Sequence, residues 1–282
     1  DSIPKSSYCF HVLHKRRFEM ADESKTCSLR PAVFFDIDGT WFRWQLGPRW
    51  VEGMVSAGIM PRIVLERFRD ALRRYKNREG TFDEFIAAMI HAYQDEERMS
   101  GIRVSDATFV AQNIIRRFGK QTHIFPQSLF RAAKTHGLIT AVISGSPVEA
   151  VEAFARFYDV DLWLGTEHPK LDGFFVGRAS KVWAEDKGAA VQKLKSRCSI
   201  DLARSIAIGD TGIDAAMLAC VRYPICFNPD THLLQRARMS GWPIVFERKD
   251  VICVFKPDAD RHFVEVQLPD ILPKELAKAM TG

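Results

Sequence analysis

The stretch Ala32-Val33-Phe34-Phe35-Asp36-Ile37-Asp38-Gly39-Thr40 constrains this chain more than any other. A continuous apolar run reads as a strand buried on both faces of a parallel sheet, and this one runs straight into two carboxylates and a glycine. In open α/β sheets, ligands bind beyond the carboxyl ends of the strands, so Asp36 and Asp38 are expected in a crevice there. At i, i+2 spacing the two side chains of a regular strand share a face and would repel if both were charged. A divalent cation relieves that repulsion. Mg²⁺ takes carboxylates, carbonyls, waters and phosphate oxygens, and this segment supplies the first two. Gly39 permits a sharp turn directly after the acids. The plainer reading of the same residues is a buried strand followed by an acidic turn.

The pattern of a strand leading into polar groups returns further on. Residues 138–143 form an apolar strand that enters Ser144-Gly145-Ser146-Pro147-Val148-Glu149. Ser146 reads as an N-cap, Pro147 as the first helical residue and Glu149 as the reciprocal acceptor of a capping box. The Ser144 hydroxyl and neighbouring N–H groups then lie at a helix start, where anions bind. A later helix is expected to begin near Asp186-Lys187-Gly188. The strand at 205–208 ends in Gly209-Asp210-Thr211-Gly212-Ile213-Asp214, again two acids just past a strand and ahead of a helix at 215–220. Two acids, a hydroxyl, a lysine and two further acids thus converge on one sheet edge.

Between the first two strands the period changes from strand to helix. Pro61 reads as a first helical position ahead of Val64, Phe68, Leu72 and Tyr75, and Thr81 with Glu84 reads as a capping box ahead of Phe82, Phe85, Ile86, Met89 and Ile90. Ser105 opens a further helix, and a short one is expected over 128–136, closed by Gly137. At 282 residues the chain exceeds a minimal domain, and residues 43–122 read as a helical insertion in an α/β core of 31–42 and 123–256. The insertion carries 14 Lys/Arg against 10 Asp/Glu, which accounts for most of the net charge of +5. Arg62, Arg67, Arg69, Arg73, Arg74, Lys76 and Arg78 cluster on one helix. A solvated face explains them, as does a positive field that draws anionic substrate. Nucleic acid is not an expected partner, because no binding module accompanies the charge.

With 46% apolar and 27% charged residues and no apolar run near the ~20 a membrane span needs, a cytoplasmic protein is expected. Cys9, Cys27, Cys198, Cys220, Cys226 and Cys253 form no CxxC pair, which points to reduced thiols and away from zinc. Residues 1–30 read as a flexible leader in which His11 and His14 lack a third metal ligand. Met20 is a candidate start residue, those before it then being processed away. Residues 257–282 read as an extension, helical over 274–280.

The order of these elements resembles the haloacid dehalogenase superfamily, specifically its phosphatases of the phosphoserine phosphatase type. Asp36-Ile37-Asp38-Gly39-Thr40 matches the first motif, Ile143-Ser144-Gly145-Ser146 the second, Lys187 the third and Gly209-Asp210-Thr211-Gly212-Ile213-Asp214 the fourth. The resemblance covers about residues 32–250, and 171–178 resembles the hairpin that often precedes the motif lysine. It implies a Rossmann-like three-layer α/β core with an inserted helical cap, and a Mg²⁺-dependent phosphomonoester hydrolase acting on a small to medium phosphorylated metabolite. Asp36 would be the nucleophile and Asp38 the general acid and base. Mg²⁺ would be held by Asp36, the Asp38 carbonyl and Asp210. Ser144, Gly145 and Lys187 would bind the phosphoryl group, and Asp214 would orient Lys187 or a metal-bound water. Within the superfamily the alternative is a phosphotransferase or mutase. Outside it, the alternative is a silent anion-binding protein.

Two positions depart from the family pattern. Phosphoserine phosphatases typically carry a Glu nine positions after the nucleophile to meet the substrate's amino group, and Gln45 stands there. The fourth motif usually has Asn where this chain has Ile213. Trp41, Arg43, Trp44 and Gln45, just after the first motif, are candidate substrate contacts suited to a larger phosphomonoester with a ring or apolar tail. Packing between core and cap explains the tryptophans equally well.

Overall fold

The computed structural model describes residues 29–94 and 99–281. Residues 1–28 of the leader, with Cys9, Cys27, His11, His14 and Met20, lie outside the described residues, and Arg30 at its end bonds to the core, its backbone N–H donating to the Ser199 carbonyl at 2.9 Å. The chain enters through β1 (Ala32–Phe35) and then forms α1 (Leu46–Ser56), α2 (Ile63–Lys76), α3 (Phe82–Gln94), α4 (Val104–Phe118) and α5 (Ile124–Thr135). Next come β2 (Ile139–Pro147), α6 (Val148–Tyr158), β3 (Leu162–Thr166) and a small hairpin of β4 (Lys170–Leu171) and β5 (Phe174–Phe175). The second half runs α7 (Lys187–Arg197), β6 (Ile206–Gly209), α8 (Ala215–Leu218), β7 (Tyr223–Phe227), α9 (Thr231–Ser240) and β8 (Ile244–Arg248). It closes with β9 (Val251–Pro257), β10 (Phe263–Glu265) and α10 (Lys274–Thr281).

The strands order as β10-β9-β8-β7-β6-β1-β2-β3, parallel from β8 to β3, with β9 and β10 added antiparallel. β1 therefore sits between β2 and β6, and the three polar segments expected at one edge do meet there. Alternation along β1 feeds two cores, as the strand period requires. Val33 and Phe35 pack with Trp41, Trp50, Phe125 and Phe154. Ala32 and Phe34 face the opposite layer of Val191, Leu194, Met217 and Leu233. α1 and α4 share the first of these cores, and the Trp50 indole donates to the Ala107 carbonyl at 3.0 Å. α2 adds Val64 and Leu65 to that core, and Ile90 of α3 packs against it, while the two helices also close on a separate cluster of Phe68 and Phe85 flanked by Leu72, Tyr75, Phe82 and Ile86. Residues 257–282 contribute β10 to the sheet, and Ile271, Leu272, Leu276 and Ala277 to the first core. None of the described helices is long and apolar enough to cross a membrane.

Several helix starts differ from the sequence reading. α2 begins at Ile63 with Arg62 as its cap, two residues past Pro61. Thr81 accepts from the Glu84 N–H at 3.1 Å, but the Glu84 carboxylate turns to Arg74 at 3.3 Å, so half of that capping box forms. α5 starts at Ile124, four residues earlier than expected, because its cap comes from elsewhere in the chain. Glu247 on β8 is buried and accepts from the N–H groups of Ile124 (3.0 Å) and Phe125 (2.8 Å) and from His123 Nδ1 (3.1 Å). A carboxylate at a helix N-terminus satisfies orphan donors and complements the dipole.

Glu247→Ala should therefore lower stability by about 1–3 kcal/mol in urea titrations, since it strands paired donors; a loss under about 0.5 kcal/mol would contradict the assignment. Burial holds the His123 imidazole below its ordinary value, opposing the pull of Glu247. The unfolded chain thus takes up this proton first as pH falls. The neutral form's contribution is complete above about pH 6.5 and is lost as pH drops below it. The urea midpoint of the wild type should fall more steeply between pH 7.5 and 5.5, roughly the histidine range, than that of His123→Asn. Equal slopes would show that other groups carry the dependence.

Candidate active site

β1 ends at Phe35, and the Asp36 N–H extends the ladder by one step, donating to the Ile208 carbonyl at 3.0 Å. The chain then doubles back: Phe42 N–H donates to Ile37 O (2.8 Å), and Gly39 N–H is shared between Phe42 O (3.0 Å) and Trp44 O (3.1 Å). Gly39 makes this turn at φ +87°, and a Cβ there would overlap Asp210 Oδ2. Only glycine meets both demands.

The turn separates the two carboxylates of the first motif. Asp38 faces β2: its Oδ1 accepts from the Leu46 N–H at the start of α1, and its Oδ2 from the hydroxyls of Ser144 (2.5 Å) and Ser146 (2.9 Å). The capping box expected at Ser146 and Glu149 does not form. Pro147 is the N-cap, the Ser146 hydroxyl is taken by Asp38, and the buried Glu149 pairs with Lys170 at 2.8 Å. Ser144 is fully buried, donating to Asp38 and accepting from the Ser146 N–H at 2.9 Å, while Gly145 and Ser146 reach the cleft.

Asp36 faces the other way. Lys187, the first residue of α7, has its start fixed by Asp186, which accepts from the Ala189 N–H at 2.8 Å. Lys187 is 3% exposed, and its ammonium lies 2.5 Å from Asp36 Oδ1 and 2.5 Å from Asp214 Oδ1. Asp214 is fully committed, its Oδ2 accepting from the N–H groups of Asp210 (3.1 Å) and Thr211 (2.9 Å) and from the Thr211 hydroxyl (3.1 Å). Gly209 allows this fold of the loop, since a Cβ there would overlap the Asp214 side chain. The Thr40 hydroxyl donates to Asp210 Oδ1 at 3.0 Å.

Four carboxylates around one ammonium leave the pocket strongly negative. Burial pushes Asp36 up to about 7, with Lys187 opposing and the charges of Asp214 and Asp38 adding to the rise. Asp210 is raised well above the carboxylate range by burial, then by Asp36 and Asp214. Burial works against the Lys187 charge, but Asp214 and Asp36 outweigh it and hold the ammonium above the ordinary lysine range. Oxygens of Asp36, Asp210 and Asp214 lie within 4.8 Å of one another, and Asp36 Oδ2 is buried with no hydrogen-bond partner. Asp214 has spent both oxygens, so Asp36 and Asp210 are the carboxylates with capacity left. Such a donor set fits a hard divalent cation, which takes one or two carboxylates.

A cleft of about 550 Å³ opens over these groups, reached by Asp36, Asp38, Gln45, Gly145, Lys187 and Asp210. Of the four residues expected to touch substrate after the first motif, Gln45 alone is among those lining it. Trp41 is fully buried and packs against Phe35 (4.8 Å between centroids), Phe130 (4.6 Å) and Phe154 (5.3 Å). Trp44 packs against the same core with Lys76 over its ring, and Arg43 is exposed outside the cleft. The turn at Gly39 swings these side chains away from the acids. Sequence reasoning missed Thr40 as a partner of Asp210 and Ser146 as a partner of Asp38. It also named Phe82, Ile86 and Ile90 only as apolar positions of a helix, and did not place them, with Ala87, as a wall of the cleft.

The profile of haloacid dehalogenase-like hydrolases matches residues 33–219. An inhibition of morphological differentiation protein of Streptomyces azureus is 31% identical over 219 residues, covering 77% of this chain and 78% of that protein. A probable phosphatase of Mycobacterium tuberculosis is 30% identical over 226 residues, covering 77% and 75%. In fold, the chain is similar to an apo phosphoserine phosphatase with a TM-score of 0.51 at 17% identity, covering 78% of this chain and 95% of that one. Motif order, sheet topology and these matches agree, and the chain belongs to the haloacid dehalogenase-like hydrolase family.

Proposed function

We propose that this hydrolase is a Mg²⁺-dependent phosphomonoesterase that works through a phosphoryl group carried on Asp36. The observation that carries the reading is the state of the Asp36 carboxylate: one oxygen held by Lys187, the other buried without a partner at the foot of the cleft. Fixing one oxygen orients the other for attack on phosphorus, and a covalent intermediate divides one difficult displacement into two easier ones. As the Asp36–phosphorus bond forms, the bond to the leaving oxygen breaks, and protonated Asp38 supplies that oxygen's proton. Asp38 then takes a proton from the water that displaces Asp36 and releases inorganic phosphate. The donors from Leu46, Ser144 and Ser146 keep the Asp38 carboxylate in one orientation between these roles.

Asp36, Asp210 and the Asp38 carbonyl would hold Mg²⁺, which when bound screens the phosphate from the surrounding carboxylates. Lys187 and Gly145, which reach the cleft, are assigned to the phosphoryl oxygens, consistent with a reaction governed by positioning and charge; Ser144, expected there from the sequence, is buried and spends its hydroxyl on Asp38. Asp214 positions Lys187. The substrate is a small phosphorylated molecule.

Phosphate release from a panel of phosphomonoesters should require Mg²⁺, stop with EDTA, and fall at least about a thousandfold in Asp36→Asn. Turnover within tenfold of wild type, roughly a 1.4 kcal/mol effect, would remove Asp36 as the nucleophile. Gly39→Ala should displace the Asp210 carboxylate and raise the Mg²⁺ concentration for half-activation about 10–100-fold, the range for disturbed metal-site geometry. An unchanged requirement would take Asp210 out of the metal site.

A further inference from the structure

The floor of the cleft is polar and its far wall is not. Phe82, Ile86, Ala87 and Ile90 recur on α3 at spacings that place them on one helical face, and all four line the cleft above the acids. Ala184 and Ile213 add apolar surface from the core side, and Ile213 is 46% exposed, unusual for a side chain of its kind beside a buried site. It stands where the family pattern has a polar asparagine.

Apart from Asp36 and Asp210, whose free capacity the reading above gives to the cation and the phosphoryl group, the charged groups of the cleft are already engaged. Lys187 bridges two carboxylates. Asp230 accepts from Leu233 N–H (2.7 Å) and Gly212 N–H (3.1 Å), and Asp38 has three donors. Among the described lining residues there is no arginine, no lysine but Lys187, and one histidine, His232. A substrate carboxylate would therefore lose water beside several aspartates with no cation but the engaged Lys187 among the described lining residues, and a substrate ammonium seated along α3 would find only apolar side chains among the described residues of that wall, the acids lying on the floor. A hydrocarbon loses nothing by entering. Pockets of this volume, apolar with a few convergent polar groups, are typical of sites that enclose an organic ligand.

We propose that the natural leaving group is an uncharged hydrocarbon alcohol, seated along α3 against Phe82, Ile86, Ile90 and Ile213 while its phosphate lies on the acidic floor. This rests on the phosphomonoesterase reading above and specifies its substrate class.

The test is kcat/KM for methyl, butyl, hexyl and octyl phosphate, kept below micelle-forming concentrations, beside 4-nitrophenyl phosphate and phosphoserine. Each methylene that reaches the wall should raise kcat/KM about two- to fourfold, the upper figure corresponding to ~0.8 kcal/mol per buried CH₂. Phosphoserine should rank below butyl phosphate. Ile86→Thr and Ile90→Thr should flatten the chain-length dependence, costing octyl phosphate more than methyl phosphate. A steep alkyl series identifies a chain as the occupant; 4-nitrophenyl phosphate serves only as the activity control, because its good leaving group raises its rate whatever lines the wall. A flat wild-type series, or phosphoserine as the preferred ester, overturns the proposal and leaves the phosphomonoesterase standing. No phosphate from any ester in the presence of Mg²⁺ overturns both.

Discussion

The Lys187 ammonium, buried between Asp36 and Asp214, is the interaction on which the site depends. It ties together the carboxyl end of β1, the loop after β6 and the first turn of α7, three segments far apart in sequence. Removing one member of such a buried group leaves an uncompensated charge, which costs about 3–5 kcal/mol. The pocket still holds more negative charge than one lysine balances. Burial first, and that excess after it, raise Asp36 and Asp210. An unpartnered oxygen on Asp36 amid such charge is a poor arrangement for stability alone and a good one for gathering a cation and a phosphoryl group.

Around this cluster the molecule divides its labour by layer. The parallel sheet brings the carboxyl ends of β1, β2 and β6 side by side, so each strand delivers its polar groups to one crevice. α1 and α4 are built into the main core, whereas α2 and α3 share a small aromatic cluster of their own and α3 turns an apolar face to the cleft. The cleft thus has a polar floor and an apolar wall.

The strands and acids of this site were legible because buried parallel strands read as apolar runs whatever their surroundings, and the groups that follow them are fixed by chain direction. Asp36, Asp38, Asp210 and Asp214 fall where that logic puts them, around one crevice, whereas Lys187 follows no strand and was marked only by the order of the motifs. What could not be read depends on partners distant in sequence. The cap of α5 comes from Glu247, more than a hundred residues away, so no local signal marked that helix's start. Ser146 looked like a helix cap because Ser-Pro-x-Glu satisfies the local rule, yet Asp38 competes for its hydroxyl and wins. Trp41 and Trp44 were ambiguous between core and ligand because aromatic rings serve both. The backbone turn at Gly39 decides the matter in favour of core. The apolar stripe of α3 was legible as a stripe, but helical period alone does not say whether it packs or borders a cleft.

The account stands or falls on whether Asp36 becomes covalently phosphorylated. The most direct measurement is an acid-quenched single turnover with Mg²⁺ and a phosphomonoester, followed by mass spectrometry of the peptide that carries Asp36. The account predicts a phosphoryl adduct on Asp36 that rises and decays fast enough to lie on the path to inorganic phosphate. Phosphate produced at the full rate with Asp36 unmodified at every quench time would contradict it.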